Sequence, residues 1–120
     1  MKILGIDDNT DINELLDTVL NGSGHEFTYV NNGTEGLRLI REKKFDIVLL
    51  DVAMPEFSGF DVINSLLKER LLTKQKIILF TASSVLESEI EELIKKGIHS
   101  CIRKPVDVDI LLEKLEQLQV

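Results

Sequence analysis

Three aspartates at two points of the chain carry the densest chemistry in this sequence. Asp7 and Asp8 stand together after the apolar run Ile3-Leu4-Gly5-Ile6, and Asp51 follows Ile47-Val48-Leu49-Leu50. Thr81 ends a third apolar run, and Lys104 with Pro105 follows a fourth. Carboxylates gathered at one place repel one another and raise their own pKa values unless a cation is bound. An all-oxygen donor set of this kind suits Mg²⁺ better than zinc. A hydroxyl and an ammonium group beside them complete what a phosphoryl-handling site needs. Each residue also has an ordinary reading. Asp7 and Asp8 suit a helix start, where the dipole favours acids, and Asp51 suits a loop before Pro55. Thr81 is a β-branched strand residue and Lys104 a solvated loop charge. Their conjunction at successive strand ends is what favours the chemical reading.

The elements that must position them follow from periodicity. Strands are predicted at Lys2 to Ile6, His25 to Val30, Asp46 to Leu50, Lys76 to Thr81 and His99 to Ile102. The first, third and fourth read as near-continuous aliphatic runs, the mark of strands buried on both faces. Between them, Ile12, Leu15, Leu16, Val19 and Leu20 keep the spacing of one helical face, as do Leu86, Ile90, Leu93 and Ile94. The segments around Leu37 and Ile40, around Val62 to Leu67 and around Leu111 to Leu118 complete five helices. Thr10 or Asp11 is predicted to cap the first helix, Ser58 to open the third, and Ser84 with Glu87 to form a capping box before the fourth. Strand alternating with helix predicts a parallel α/β sheet. Right-handed crossovers place every loop named above at its carboxyl edge, where open α/β folds bind ligands.

Composition limits the classes that can use such an edge. The chain has 120 residues, 43% of them hydrophobic and 29% charged, enough for one packed domain and no second. Lys and Arg number 14 against 21 Asp and Glu, a formal net charge of -7. A general nucleic-acid grip needs the opposite sign. No apolar run approaches the roughly 18 residues of a membrane helix, and the start of the chain has no cleavage-site pattern, so a cytoplasmic protein is expected. Cys101 is the single cysteine, and neither His25 nor His99 stands at zinc-ligand spacing with it, which removes disulfide and structural-zinc scaffolds. His99 and Cys101 share a strand face by alternation. They are read as packing rather than as a redox or metal pair. Phe45, Phe57 and Phe60 are read as core or pocket rim, because no basic residues interleave with them as in a base-stacking platform. Arg41-Glu42-Lys43-Lys44 and Glu87 to Glu92 are read as solvated helix faces.

With these residues in order, the sequence resembles response-regulator receiver domains, the stand-alone chemotaxis-type proteins among them. The motifs are Ile6-Asp7-Asp8, Leu49-Leu50-Asp51-Val52-Ala53-Met54-Pro55 with Ser58-Gly59, Phe80-Thr81-Ala82, and Arg103-Lys104-Pro105. The resemblance covers the whole chain, and it implies one receiver domain over residues 1–120 with no output domain. It also implies a doubly wound (βα)5, flavodoxin-like three-layer sandwich with parallel strand order 2-1-3-4-5. Periodicity alone does not fix that order. By the same resemblance Asp51 is the phosphoacceptor, taking a phosphoryl group from a histidine kinase or a histidine phosphotransfer protein in a two-component phosphorelay. Asp8 would be a direct Mg²⁺ ligand and Asp7 one acting mainly through water. Asp51 itself and the backbone carbonyl of Ala53 would add further oxygens. Lys104 would neutralise phosphoryl charge, and the backbone amides of Val52 and Ala82 would contact phosphoryl oxygens. Thr81 is similar to the family's switch hydroxyl, and Pro105 to a proline preceded by a cis peptide bond.

The sequence departs from that pattern at Cys101, where the family usually has an aromatic switch residue. The Thr81 half of the relay is retained and the aromatic half is missing. Ala53 and Ser83 hold the two positions that modulate dephosphorylation in the family, and both are small and uncharged. The resemblance implies a monomer or weak dimer that switches binding to an unidentified downstream protein. Two readings compete with the receiver. An aspartyl-phosphate-forming phosphatase or phosphotransferase would want an acid two residues after its nucleophile, where Ala53 stands. A nucleotide or flavin binder would want a glycine-rich or hydroxyl-rich loop after the first strand, where Asp7-Asp8-Asn9 repels phosphate. A receiver that signals without phosphate is the remaining variant.

Overall fold

In the computed structural model, residues 1–81 and 85–118 are described. Five strands alternate with five helices. They are β1 (Lys2–Ile6), α1 (Thr10–Gly22), β2 (Glu26–Val30), α2 (Gly33–Glu42), β3 (Ile47–Asp51), α3 (Gly59–Lys68), β4 (Lys76–Thr81), α4 (Glu87–Lys96), β5 (Ser100–Arg103) and α5 (Val108–Leu118). All pairings are parallel, in the order β2-β1-β3-β4-β5. This is the doubly wound order expected above. β3 lies at the centre with all five residues buried, which is why its sequence is an unbroken aliphatic run ended by Asp51.

Apolar packing divides between the two faces of the sheet. Leu4, Ile6, Val48, Leu50, Ile77 and Leu79 pack with α2 and α3 through Leu37, Ile40, Val62, Ile63 and Leu66. Ile3, Ile47, Leu49, Ile78 and Phe80 pack with α1 and α5 through Leu16, Leu20, Leu111 and Leu115. The alternation along each strand supplies both cores. Phe45 joins the first core, with Phe57 and Phe60 half-buried against it.

The ends of elements differ from the sequence reading for local reasons. The cap of α1 is Asn9, whose side chain accepts from the Ile12 N–H at 3.2 Å, while Thr10 is already helical. His25 stands before β2, because its N–H closes the end of α1 on the Leu20 carbonyl. Asp46 stands before β3 and spends its carboxylate on the Lys2 N–H. His99 precedes β5, its imidazole against the Ser100 hydroxyl. Ser58 does open α3, in a capping box with Asp61. Helix α4 begins at Glu87 with Leu86 at its cap and no side-chain capping bond, so Glu87 is the first residue of the helix rather than the third. Ser84, its predicted partner, lies outside the described residues, as do Ala82 and Ser83.

Candidate functional site

The sheet order brings the chemistry-bearing residues to one edge. β1 and β3 are neighbours, and the chain direction of winding reverses there, so Asp7, Asp8 and Asp51 emerge side by side. One carboxylate oxygen from each of the three lies within 4.8 Å of the others. Asp7 and Asp51 are buried and Asp8 is exposed. Among the described residues this is the one cluster of three or more acidic, His or Cys side chains able to share a cation. His99 and Cys101 do not form such a group.

Main-chain groups hold the two buried acids. Asp7 Oδ1 accepts from the Asn9 N–H at 2.9 Å, and Asp51 Oδ1 accepts from the Ala53 N–H at 3.2 Å. Lys104 reaches between them, its Nζ 3.4 Å from Asp7 Oδ2 and 3.3 Å from Asp51 Oδ1. It comes from the far side of β4: the Lys104 N–H donates to the Thr81 carbonyl at 2.7 Å. The Lys104-Pro105 peptide bond is cis. One ammonium does not balance the acids. The Asp51 carboxyl is pushed up from 3.8 to about 6, first by burial and then by the neighbouring Asp7 charge, with Lys104 opposing both. A hard divalent cation among the three carboxylates would supply the missing positive charge, and the all-oxygen donor set fits Mg²⁺.

Thr81 is fully buried at the end of β4, and its Oγ1 lies 3.2 Å from Cys101 Sγ. The β4–β5 register explains the meeting, since Leu79 pairs with Cys101 and Thr81 is two residues further on. The Val52 N–H is engaged by the Phe80 carbonyl at 3.3 Å, so a phosphoryl oxygen would have to share or displace that bond. Ala53 is exposed beside the acids. Two residues on from Cys101, and on the same face of β5 by alternation, Arg103 donates to the Val85 carbonyl at 2.9 Å and reaches Glu87 at 3.2 Å.

Two contacts were not legible in the sequence. Gly59, at the start of α3, packs so closely on the acceptor strand that a Cβ there would lie 2.5 Å from the Asp51 carbonyl oxygen. The motif Ser58-Gly59 names the residue but not this approach. Asn13, on the buried face of α1, donates from Nδ2 to the Asp7 carbonyl at 2.8 Å, and its Oδ1 has no hydrogen-bond partner. A polar residue in an amphipathic pattern reads as solvated, so nothing in the spacing marks it.

Residues 3–116 match the response regulator receiver domain family. The transcriptional regulatory protein ZraR of Salmonella typhimurium is 35% identical over 117 residues, covering 98% of this chain and 26% of ZraR. Protein PilH of Pseudomonas aeruginosa is 30% identical, covering 95% of this chain and 93% of PilH. The chain therefore spans about a quarter of the larger regulators it matches and nearly all of the smaller protein. Among solved structures, the receiver domain of the Francisella response regulator 1452 superposes with a TM-score of 0.87 at 26% identity, over 98% of this chain and 94% of that one. Since the match runs through all five strands and both acid-bearing loops, the chain belongs to the response regulator receiver domain family of two-component systems.

Proposed function

We propose that this chain is a phosphorylation-switched receiver in which Asp51 accepts a phosphoryl group from a phosphohistidine on a histidine kinase or phosphotransfer protein. A carboxylate oxygen of Asp51 attacks phosphorus, the phosphorus–nitrogen bond breaks, and an acyl phosphate forms on Asp51. The observation that carries this reading is the site's charge arrangement: a central buried carboxylate, two further acids and one ammonium within reach of it. Bound Mg²⁺ would neutralise charge on the acceptor and on the phosphoryl oxygens, which is where catalysis of this transfer mostly lies. Asp7, Asp8, Asp51 and the Ala53 carbonyl would hold it. Lys104 is placed to meet an equatorial phosphoryl oxygen, and the small Ala53 leaves the approach open. No acid stands two residues after Asp51 to protonate a leaving group, which favours a phosphoacceptor over a turnover phosphatase.

Thr81 couples the site to the rest of the molecule. Its hydroxyl rests against the Cys101 sulfur, a weak partner that a phosphoryl oxygen outcompetes as an acceptor. Transfer of that bond draws the end of β4 toward Asp51 and alters the surface built by α4, β5 and α5, where a downstream protein would bind. Among the described residues no helix is long and apolar enough to cross a membrane, and we infer a cytoplasmic site of action. The chain acts either alone, as the length of PilH suggests, or as the receiver of a larger regulator such as ZraR.

Intact mass after incubation with acetyl phosphate, with and without Mg²⁺, tests the reading. A Mg²⁺-dependent gain of one phosphoryl group that is lost in Asp51→Asn is expected. Labelling that persists in Asp51→Asn overturns the acceptor assignment. No labelling of a folded, Mg²⁺-binding protein favours a receiver that signals without phosphate.

A further inference from the structure

From the contacts around Asp7 we infer that Asn13 is a positioning residue for the cation site, fixing the peptide plane from which Asp8 hangs. The inference rests on the reading of Asp7, Asp8 and Asp51 as the cation's ligands. Asp8 is the exposed member of the three, and among the described residues its carboxylate has no hydrogen-bond or ion-pair partner. Its location is therefore set by its backbone. The carbonyl of Asp7 and the amide of Asp8 belong to one rigid plane. Whatever holds that carbonyl oxygen sets the direction in which Asp8 leaves β1.

Asn13 is the group that holds it, at 2.8 Å and fully buried. The Asp7 N–H is tied separately to the Val30 carbonyl at 3.2 Å, and the Asp7 side chain to the Asn9 N–H. Asp7 is thus pinned by β2, by the loop and by α1, and only the α1 contact acts on the plane that continues into Asp8. The position also departs from what folding alone favours. Asn13 shares the buried face of α1 with Leu16 and Leu20, and its Oδ1 is buried without a partner. An apolar residue would fill the place without that unpaired oxygen. The amide is there for its donor, and the donor serves Asp7.

Titration calorimetry with MgCl₂ on the purified chain, beside thermal melts without metal, tests this. Asn13→Leu keeps the number and branching of side-chain heavy atoms and trades the unpaired Oδ1 for an unpaired Asp7 carbonyl, so its melting temperature is expected near the parent's while Mg²⁺ affinity falls about tenfold. Leu16→Ala, one turn along the same buried face, is expected to lower the melting temperature and leave the affinity of the folded protein unchanged. In an Asp8→Asn background, Asn13→Leu is expected to cause no further loss. If Asn13→Leu fails to fold, Asn13→Ala is read in the same way against Leu16→Ala. Parent affinity in the folded Asn13 variant, or an equal loss in Leu16→Ala, overturns the positioning role. A parent chain that binds no Mg²⁺ overturns the ligand assignment itself, and the inference with it.

Discussion

Ionised Asp51 works against the fold that holds it. Its carboxyl titrates at about 6 in the metal-free protein against 3.8 for the free group, because burial and Asp7 outweigh Lys104. The folded state therefore binds more protons than the unfolded state between these values, and stability falls as pH rises through that window. Above it the full cost, on the order of 2–3 kcal/mol, is present. Asp51→Asn mimics the neutral acid. Urea denaturation at pH 7 without metal is expected to show it more stable than the parent, with the difference shrinking toward pH 4. A difference independent of pH would mean that Asp51 is not the group titrating. Thr81 offers a second residue-scale test, because Cys101 is the single thiol in the chain and touches its hydroxyl. Phosphorylation that draws Thr81 away uncovers the sulfur, so alkylation of Cys101 is expected to quicken in the labelled protein. Thr81→Ala should still take the label but alkylate at one rate with and without it. The acids, Thr81 and Lys104 were legible from residue type and place in the chain. Cys101 was marked by the resemblance as the other half of the Thr81 relay, but its sulfur–hydroxyl contact depends on the β4–β5 register, and Asn13 was not legible, because burial of a single polar side chain leaves no periodic trace.

Helix α3 shows how an element carries a site it does not itself supply. The capping box of Ser58 and Asp61 satisfies the first amides of the helix, and the Gly59 N–H donates to the Val52 carbonyl at 3.2 Å. These bonds seat the helix start directly on the acceptor strand. Ser58→Ala is expected to cost about 1 kcal/mol in urea denaturation. Gly59→Ala is a different lesion, since the added Cβ meets main chain at Asp51 and Val52 that has no slack. A loss of about 1–3 kcal/mol is expected, together with slower labelling by acetyl phosphate. Ser58→Ala should leave labelling at the parent's rate per folded molecule. Equal labelling by both variants would show that the helix start supports the fold without shaping the site. The strand cores and helix faces were legible because long apolar periods survive local exceptions. Their ends were not: Asn9 displaced Thr10 as the cap of α1, and Asp46 and His25 were drawn into loop hydrogen bonds that no pattern of hydrophobicity encodes.

At the scale of the whole molecule the decisive feature is the reversal between β1 and β3. Periodicity predicts five buried or half-buried strands but says nothing of which are neighbours. The order came from the resemblance, and the structure has that order. Only in this order do the acids of two loops separated by 43 to 44 positions face one another, with one hydrophobic core on either side of the sheet below them. The acid cluster thus sits where repulsion acts across the joint between β1 and β3. A cation binding there stabilises the whole fold, by about 2.7 kcal/mol at a concentration 100 times its dissociation constant. MgCl₂ is therefore expected to raise the melting temperature of the parent by several degrees and that of Asp8→Asn by much less. NaCl at equal ionic strength, which only screens, should not reproduce the effect, because two of the three acids are buried. A rise common to both salts, or one retained in Asp8→Asn, would assign the stabilisation to the net charge of -7 rather than to a cation held at the strand reversal.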